Sequence, residues 1–152
     1  MAGPTVERVI DSLSQHLHDL GVATFTPDSV YPSTVTAPAV YVGHLYPSPD
    51  TAVSINHYFT DSDIATQRSS PRMRFQLRWR GDQNPRTVHK LADDAYALLH
   101  TLTPGSWPGG VRILWCVRQI VAPIEADETG RWERADSYEI QLNPITIGAD
   151  NG

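Results

Sequence analysis

The sequence contains a single cysteine, and this scarcity excludes several kinds of site. Cys116 has no second thiol with which to form an internal disulfide, and a cysteine-based zinc centre needs more than one such ligand. Its neighbours in RILWCVRQI are apolar, so we expect a buried, unreactive thiol rather than a nucleophile. The chain must therefore be held together by packing and hydrogen bonds rather than by cross-links.

Positive charge is also scarce. The 152 residues include 12 basic and 17 acidic side chains, a formal net charge of −5, so the molecule as a whole has no field that attracts phosphate. Among the basic residues only Lys90 is lysine. The planar guanidinium of arginine suits fixed carboxylate pairs and interfaces better than a mobile ammonium does.

Long hydrophobic runs are missing. No apolar stretch approaches the roughly 20 residues that span a bilayer, and the first residues, MAGPTVERVIDSL, turn amphipathic and charged at once, unlike a secretory signal. With 40% hydrophobic and 19% charged residues, the composition is that of a globular chain. We expect one soluble, intracellular domain, 1–152, with no membrane contact, a core at about 5–145 and a frayed tail at 146–152.

Motifs for catalysis and metal binding are missing as well. The chain contains no H-E-x-x-H, G-x-S-x-G, G-x-x-x-x-G-K or G-x-G-x-x-G. Asp61 and Asp63 in TDSD resemble the start of a calcium loop, but the glycine and the final glutamate of such a loop are absent. Asp93 and Asp94 are adjacent in a predicted helix and do not face each other, which indicates a solvent face. We therefore expect no enzyme, no cofactor and no metal site.

What the sequence contains instead is a series of clear secondary-structure patterns. Apolar residues at helical spacing predict one helix between Thr5 and Gly21 and a second that begins at Asn84-Pro85, a favourable cap followed by a favourable first residue. A tip at Glu128-Thr129-Gly130 precedes the last predicted strand. In chain order, the predicted strands are VATF, AVYVGHLY, TAVSINHYF, RMRFQLRWR, VRILWCVRQI and SYEIQL.

The order of these elements predicts an α+β fold, because strands come in runs rather than in regular alternation with helices. We expect an antiparallel (mixed) sheet with two amphipathic helices packed on one face, and AVYVGHLY paired with TAVSINHYF as a hairpin. The predicted interior joins both helices to the strand RMRFQLRWR. Its members are Val6, Val9, Ile10, Leu13, Leu17, Leu91, Ala95, Leu98, Leu102, Met73, Phe75, Leu77 and Trp79.

The strand RMRFQLRWR contains four arginines in an otherwise acidic chain. Its period of two predicts a half-buried strand with the apolar side chains on one face. The arginines share the other face, where successive side chains lie about 7 Å apart. This arginine row consists of Arg72, Arg74, Arg78 and Arg80.

Three interpretations of the arginine row are open. Nucleic acid would need phosphate contacts beside stacking aromatics, but the aromatics of this strand face the other way. Acids of the same chain, such as Glu139, pair the arginines in the second interpretation. In the third, which we favour, the row contacts a neighbouring subunit, whose acids reach it, or the end of another protein of the assembly. The predicted interface then comprises Arg72, Arg74, Arg78, Arg80, Arg131, Asp61, Asp63, Glu125, Asp127 and Glu128.

Four features of the chain occur in a characteristic order. They are an alternating strand followed by RGD, a helix with LADDAYALLH, a Trp/Gly-rich break before VRILWCVRQIVAP, and the tip DETGRWERADSYEIQLN. In this order, and with the proline-rich YPSTVTAPAVYVG upstream, the chain resembles the small tail terminator proteins of long-tailed bacteriophages, also called minor capsid or minor tail proteins. The resemblance covers about residues 5–145 and is closest to proteins from phages of actinobacteria.

This resemblance implies a homohexameric ring that caps the tail tube, ends its polymerisation and joins the tail to the head. The implied partners are further copies of the chain, the tail tube protein and the head–tail connector or stopper protein, while genome DNA passes through without specific binding. The implied location is the tail and neck of the virion, and the host cytoplasm during assembly. A head-side connector or stopper ring and a nucleic-acid-binding accessory protein stay open as alternatives.

If the ring encloses a channel for the genome, its lumen should be acidic or neutral, because tight phosphate contacts would retard passage. We therefore expect no measurable affinity for duplex DNA at physiological salt in a binding titration. A micromolar affinity that falls steeply with added salt would contradict this expectation and favour the accessory protein.

Overall fold

The secondary structure comes from a computed structural model that describes residues 5–61 and 70–143. Both predicted helices are present, Val6–Asp19 (α1) and Pro85–Leu99 (α2), with a 3₁₀ turn at Pro108–Gly110. Asp63, with the rest of residues 62–69, and the tail 146–152 lie outside the described residues. The strands are Ala39–Val42 (β1), Ala52–Asp61 (β2), Arg72–Arg80 (β3), Gly105–Trp107 (β4), Val111–Val121 (β5), Glu125–Ala126 (β6) and Trp132–Leu142 (β7).

The strands form one mixed sheet in the order β1-β2-β3-β7-β5-β4, with β6 paired to β7. All of these pairings are antiparallel except that of β1 with β2, which is parallel. The mixed sheet with two helices confirms the α+β class, whereas the predicted hairpin of AVYVGHLY with TAVSINHYF is wrong. Among the described residues, no helix is both long enough and apolar enough to cross a membrane.

The parallel pair exists because the connection between β1 and β2, residues 43–51, doubles back; we call it the return loop. Gly43 ends β1 with a φ of +95°, a conformation that favours glycine. The Arg80 guanidinium then holds the loop in place: Nη2 donates to the carbonyl oxygens of Tyr46 and Pro49, and Nε to that of Asp50, at 2.7 Å each. A side chain of β3 thus fixes the path of the return loop. The sequence pattern alone predicts a simple hairpin turn there.

Both helices begin where the sequence predicts. Thr5 caps α1, where its Oγ1 accepts a hydrogen bond from the amide three residues later at 3.2 Å. Asn84 caps α2 through a hydrogen bond of 3.0 Å from the amide two residues later, and Pro85 occupies the first helical position. The predicted strand VATF is wrong beyond a single bridge between Thr24 and Ala39, the first residue of β1.

Strand β3 has the two-sided character that its alternation predicts. The residues from Met73 to Trp79 at odd positions are buried, and the register of β3 on β7 puts Tyr138 and Ile140 on the same face. Side chains of α1 and α2 belong to the same hydrophobic cluster, and we call this side of the sheet the core face. The opposite side, the outer face, includes Arg72, Arg74, Arg78, Glu133, Ser137 and Glu139.

The buried stripe of α2 differs from the predicted one toward the C-terminal end of the helix. Leu99 is 1% exposed, whereas Leu98 is 53% exposed and Leu102 lies exposed beyond the last helical residue. Ala92 and Ala95 are buried with Leu99 at spacings of three and four residues, so the helix presents its small side chains to the core. The prediction that Leu98 and Leu102 belong to the interior is therefore wrong.

A buried ion cluster anchors α2. Arg134 and Asp136 of β7 are buried on the core face, where Arg134 Nε donates to Asp136 Oδ1 at 2.8 Å. The same guanidinium reaches α2: Nη2 donates to Asp93 Oδ1 at 2.7 Å, and Nη1 lies 3.0 Å from His89 Nδ1. The hydrogen bond from Arg134 lowers the pKa of Asp93. Asp93 was predicted as part of a solvent face, and in the structure its carboxylate also ties the helix to the sheet.

Truncation of Leu99 to alanine should lower the free energy of unfolding by about 2–5 kcal/mol, because it leaves a cavity beneath α2. The matched variant Leu98→Ala, one residue away but exposed, should change it by less than about 0.5 kcal/mol. Urea unfolding of the two purified variants measures both effects. Equal losses for the two leucines would show that α2 is oriented differently.

Candidate functional site

The outer face brings together most of the predicted interface residues. Arg72, Arg74 and Arg78 follow one another along β3 on this face, each with a partly exposed side chain. The neighbouring strands β2, β6 and β7 supply carboxylates beside them. The row is therefore a row of ion pairs rather than a bare cationic strip.

The two ends of the row pair with Asp61 and Glu125, which are half-exposed or exposed, and with Glu133, whose side chain is 19% exposed. Arg72 pairs with Asp61, its cross-strand neighbour on β2. Arg78 Nη1 donates to Glu133 Oε1 at 3.3 Å and lies 4.0 Å from Glu125 Oε2. Pairs of this kind contribute little to stability because water screens them. Asp61 and Glu125 both have arginine partners in their own chain, so the row does not require acids from an adjacent copy. Their predicted part in a subunit contact stays a prediction.

The centre of the row is better packed. Arg74 Nε donates to Glu139 Oε2 at 2.8 Å, and the Glu139 side chain is only 5% exposed. The Arg74 guanidinium also lies over the ring of Phe59, 4.7 Å from its centroid. A nearly buried carboxylate loses most of its hydration, so Glu139 depends on this arginine. The pairing with Glu139 is the second of the three interpretations drawn from the sequence.

Arg80 does not belong with the other three arginines. Its side chain is covered by the return loop, and the residue is 3% exposed. Burial, together with the nearby Arg131 charge, lowers the pKa of this guanidinium, and the three loop carbonyls compensate it with hydrogen bonds. The prediction that Arg80 points outward toward a partner is wrong, because a loop of its own chain occupies that place.

The tip between β6 and β7 is a self-contained hydrogen-bonded unit. Asp127 Oδ1 accepts from the amides of Thr129 and Arg131, and Oδ2 accepts from Arg131 Nε, all at 2.9 Å. Burial acts to raise the pKa of Asp127, but these hydrogen bonds outweigh it and lower the pKa to about 2. Arg131 also reaches the return loop at Asp50 Oδ1, at 3.0 Å. Of the predicted tip residues, Glu128 and Thr129 lie exposed and Gly130 is half-buried.

Strands β2 and β5 each have an edge that is partly open, and the sequence patterns did not predict this. Strand β1 pairs with β2 only as far as Ile55, and beyond it no described strand covers that side of β2. Strand β4 covers only the first residues of β5, which continues to Val121. In the sequence, these open edges are indicated by the apolar residues at the ends of two strands, HYF and QIV. Exposed apolar side chains mark these edges, namely Tyr58, Phe59, Ile120 and Val121.

The described residues offer ion pairs rather than a reactive centre. Within them, no group of three or more histidine, cysteine, aspartate or glutamate side chains is placed to hold a metal ion. Burial raises the pKa of the Cys116 thiol, which stays protonated. An open groove of about 770 Å³ lies beside the first turn of α2, but the arginine that lines it, Arg131, is already paired with Asp50 and Asp127.

Comparisons with known proteins identify relatives of the chain. A comparison with curated proteins gave no match. Among solved structures, a chain from the virion of a native gene transfer agent (GTA) particle has a similar fold, with 14% identity, a TM-score of 0.50 and coverage of 68% of this chain and 77% of that chain. The family model described as bacteriophage tail terminator protein matches residues 16–144, more than half of the chain. This protein therefore belongs to the bacteriophage tail terminator family.

Proposed function

We propose that the chain assembles into a homohexameric ring that caps a phage tail tube, ends its polymerisation and joins the tail to the head. The family match over residues 16–144 carries this proposal, because it makes the chain a structural protein of a phage tail. The fold shared with a chain of a gene transfer agent virion agrees with a place in a virion particle. An ion-paired sheet face with two open edges is a surface built for contacts with other proteins.

The charges of the outer face suit a ring through which DNA passes. Three arginines stand beside four carboxylates, so the face is close to neutral and holds no surplus of cations for phosphate. A surface of this kind neither captures duplex DNA nor retards it. The charged residues concerned are Arg72, Arg74, Arg78, Asp61, Glu125, Glu133 and Glu139.

The proposal also includes the finer expectations from the sequence. The partners are the tail tube protein on one side of the ring and the head–tail connector or stopper protein on the other. Assembly takes place in the host cytoplasm, both helices cover the core face of the sheet, and the source is a phage of actinobacteria. The outer face, with the exposed Glu128 at the tip, takes part in the contact with a neighbouring subunit.

Capping of the tail tube is the direct test of the proposed function. Purified chain should form a particle of six copies of 16.9 kDa, about 101 kDa, by light scattering. Tail tube protein polymerised with this particle should give tubes of limited length in negative-stain micrographs, with the particle at one end. A ring that leaves the length distribution unchanged would instead favour the head-side connector or stopper, and immunolabelling of virions would then place it.

The outer face is tested by Arg72→Gln combined with Arg78→Gln. Both arginines are partly exposed, so the double variant should keep the melting temperature of the wild type while weakening the ring at physiological salt. Charge reversal at Arg74 is unsuitable, because it would put a second carboxylate against the nearly buried Glu139.

The control removes two positive charges elsewhere, with Arg86→Gln and Lys90→Gln on α2. This control should assemble like the wild type in sedimentation velocity runs at matched concentrations. If the Arg72/Arg78 variant sediments like the control, the outer face is merely solvated and the subunit contact lies elsewhere.

A further inference from the structure

A groove lies beside the first half of α1. It is bounded by α1, residues 25–29, the end of β1 and the 3₁₀ turn, and its volume is about 600 Å³. We propose that this groove binds a segment of another virion protein, one that carries a basic side chain next to apolar ones. The inference rests on the proposed place of this chain in a virion, and it names a surface for a partner other than a second copy.

Hydrogen bonds hold the boundaries of the groove in place. On one side, the amide of Phe25 donates to His18 Nδ1 at 3.1 Å and so ties the start of residues 25–29 to the last turn of α1. At one end, Arg8 Nη2 donates to the carbonyl oxygen of Gly109 in the 3₁₀ turn at 2.9 Å. A site that already has its shape loses less conformational entropy when a partner binds.

The lining of the groove is partly apolar and open to solvent. Phe25, Pro27, Val42 and Pro108 contribute to it, and Val42 is 50% exposed although it lies in a strand. Val30, which follows residues 25–29, is 68% exposed. An apolar segment that enters the groove therefore removes apolar area from water on both partners, which favours binding.

The rim of the groove is acidic. Glu7 and Asp11 are exposed one helical turn apart, and within residues 5–61 and 70–143 neither has an ion-pair or hydrogen-bond partner. Arg8, which lies between them in the sequence, donates to a carbonyl group instead. Two like charges four residues apart weaken a helix slightly. A basic side chain of a partner would relieve this repulsion, so the rim favours a cationic segment.

A buried hydroxyl in the lining points independently to a ligand. Ser12 is 4% exposed, and its Oγ has no hydrogen-bond partner in the described part of the chain. Ser14 on the same helix avoids this state, because its Oγ donates to the carbonyl oxygen of Ile10 at 2.8 Å. An unpartnered buried hydroxyl costs free energy, and a polar group of an incoming segment can recover that cost.

The charges of this chain argue against a second copy as the partner. Among the described lysines and arginines, only Arg86 and Arg112 have no hydrogen-bond or ion-pair partner. Neither of them stands next to an exposed large apolar residue in the sequence. The cation and the apolar side chains that fit the groove therefore come from a different protein.

The test exposes the purified full chain to an array of short overlapping peptides from this chain and from the other structural proteins of its virion. The bound peptides should come from the other proteins and contain a basic residue next to apolar ones. Fluorescence anisotropy then gives their affinities for two variants. Val42→Lys brings a cation and a longer side chain into the groove, and Glu7→Gln with Asp11→Asn removes the acidic rim. Each variant should bind about tenfold more weakly than the wild type.

Matched controls make the same changes elsewhere. Val121→Lys places a lysine at another exposed strand end, where the valine is 43% exposed, and Asp82→Asn with Glu128→Gln removes two other exposed negative charges. Both controls should bind the peptides like the wild type, and all four variants should keep its melting temperature.

The variant Ser12→Ala tests whether the buried hydroxyl is kept for a ligand. Because its Oγ has no partner in the free chain, removal should leave the melting temperature unchanged or raise it, while the peptides bind more weakly. A lower melting temperature would show that the hydroxyl already serves the fold, and this would contradict the inference.

Three further results would overturn the inference. They are an array without bound peptides, bound peptides that come only from this chain, and groove variants that bind as tightly as their controls. A chain that still caps tail tubes in any of these cases would keep the proposed function. Failure to cap tubes, together with peptide binding that depends on the groove, would instead overturn the capping function and leave the binding site.

Discussion

The register of β3 on β7 is the constraint on which the rest of the structure depends. It pairs Phe75 with Tyr138 on the core face and Arg74 with Glu139 on the outer face. Side chains alternate along a strand, so a slip of one residue on either strand would send apolar rings to the charged face and charges into the core. The two central strands thereby determine where the helices pack and where the ion pairs form.

Three arginines of this chain hold parts of its own fold together. Arg80 holds the return loop, Arg134 ties α2 to the sheet, and Arg131 organises the tip. Each of these guanidiniums is buried or nearly so and has several acceptors, which is the condition under which buried charge is tolerated. Arginine meets this condition better than lysine because its planar fork donates in several directions, which fits a chain in which only Lys90 is lysine.

Membership of the tail terminator family agrees with the two open strand edges, which a monomeric domain would not be expected to retain. An isolated sheet with two open edges is prone to uncontrolled association, and monomeric proteins cover or charge such edges. The outer face is close to neutral, because three arginines stand beside four carboxylates.

The sequence by itself determined the features whose cause is local. The period of RMRFQLRWR gave β3 its bounds and its two faces, and the caps Thr5 and Asn84 gave the helices their starts. It also identified which arginines share a face and offered Glu139 as a partner, but it did not identify their other partners. Tertiary structure decided the other partners, the parallel pairing of β1 with β2 and the exposure of Leu98. Each of these depends on segments far apart in the chain, which no local pattern encodes.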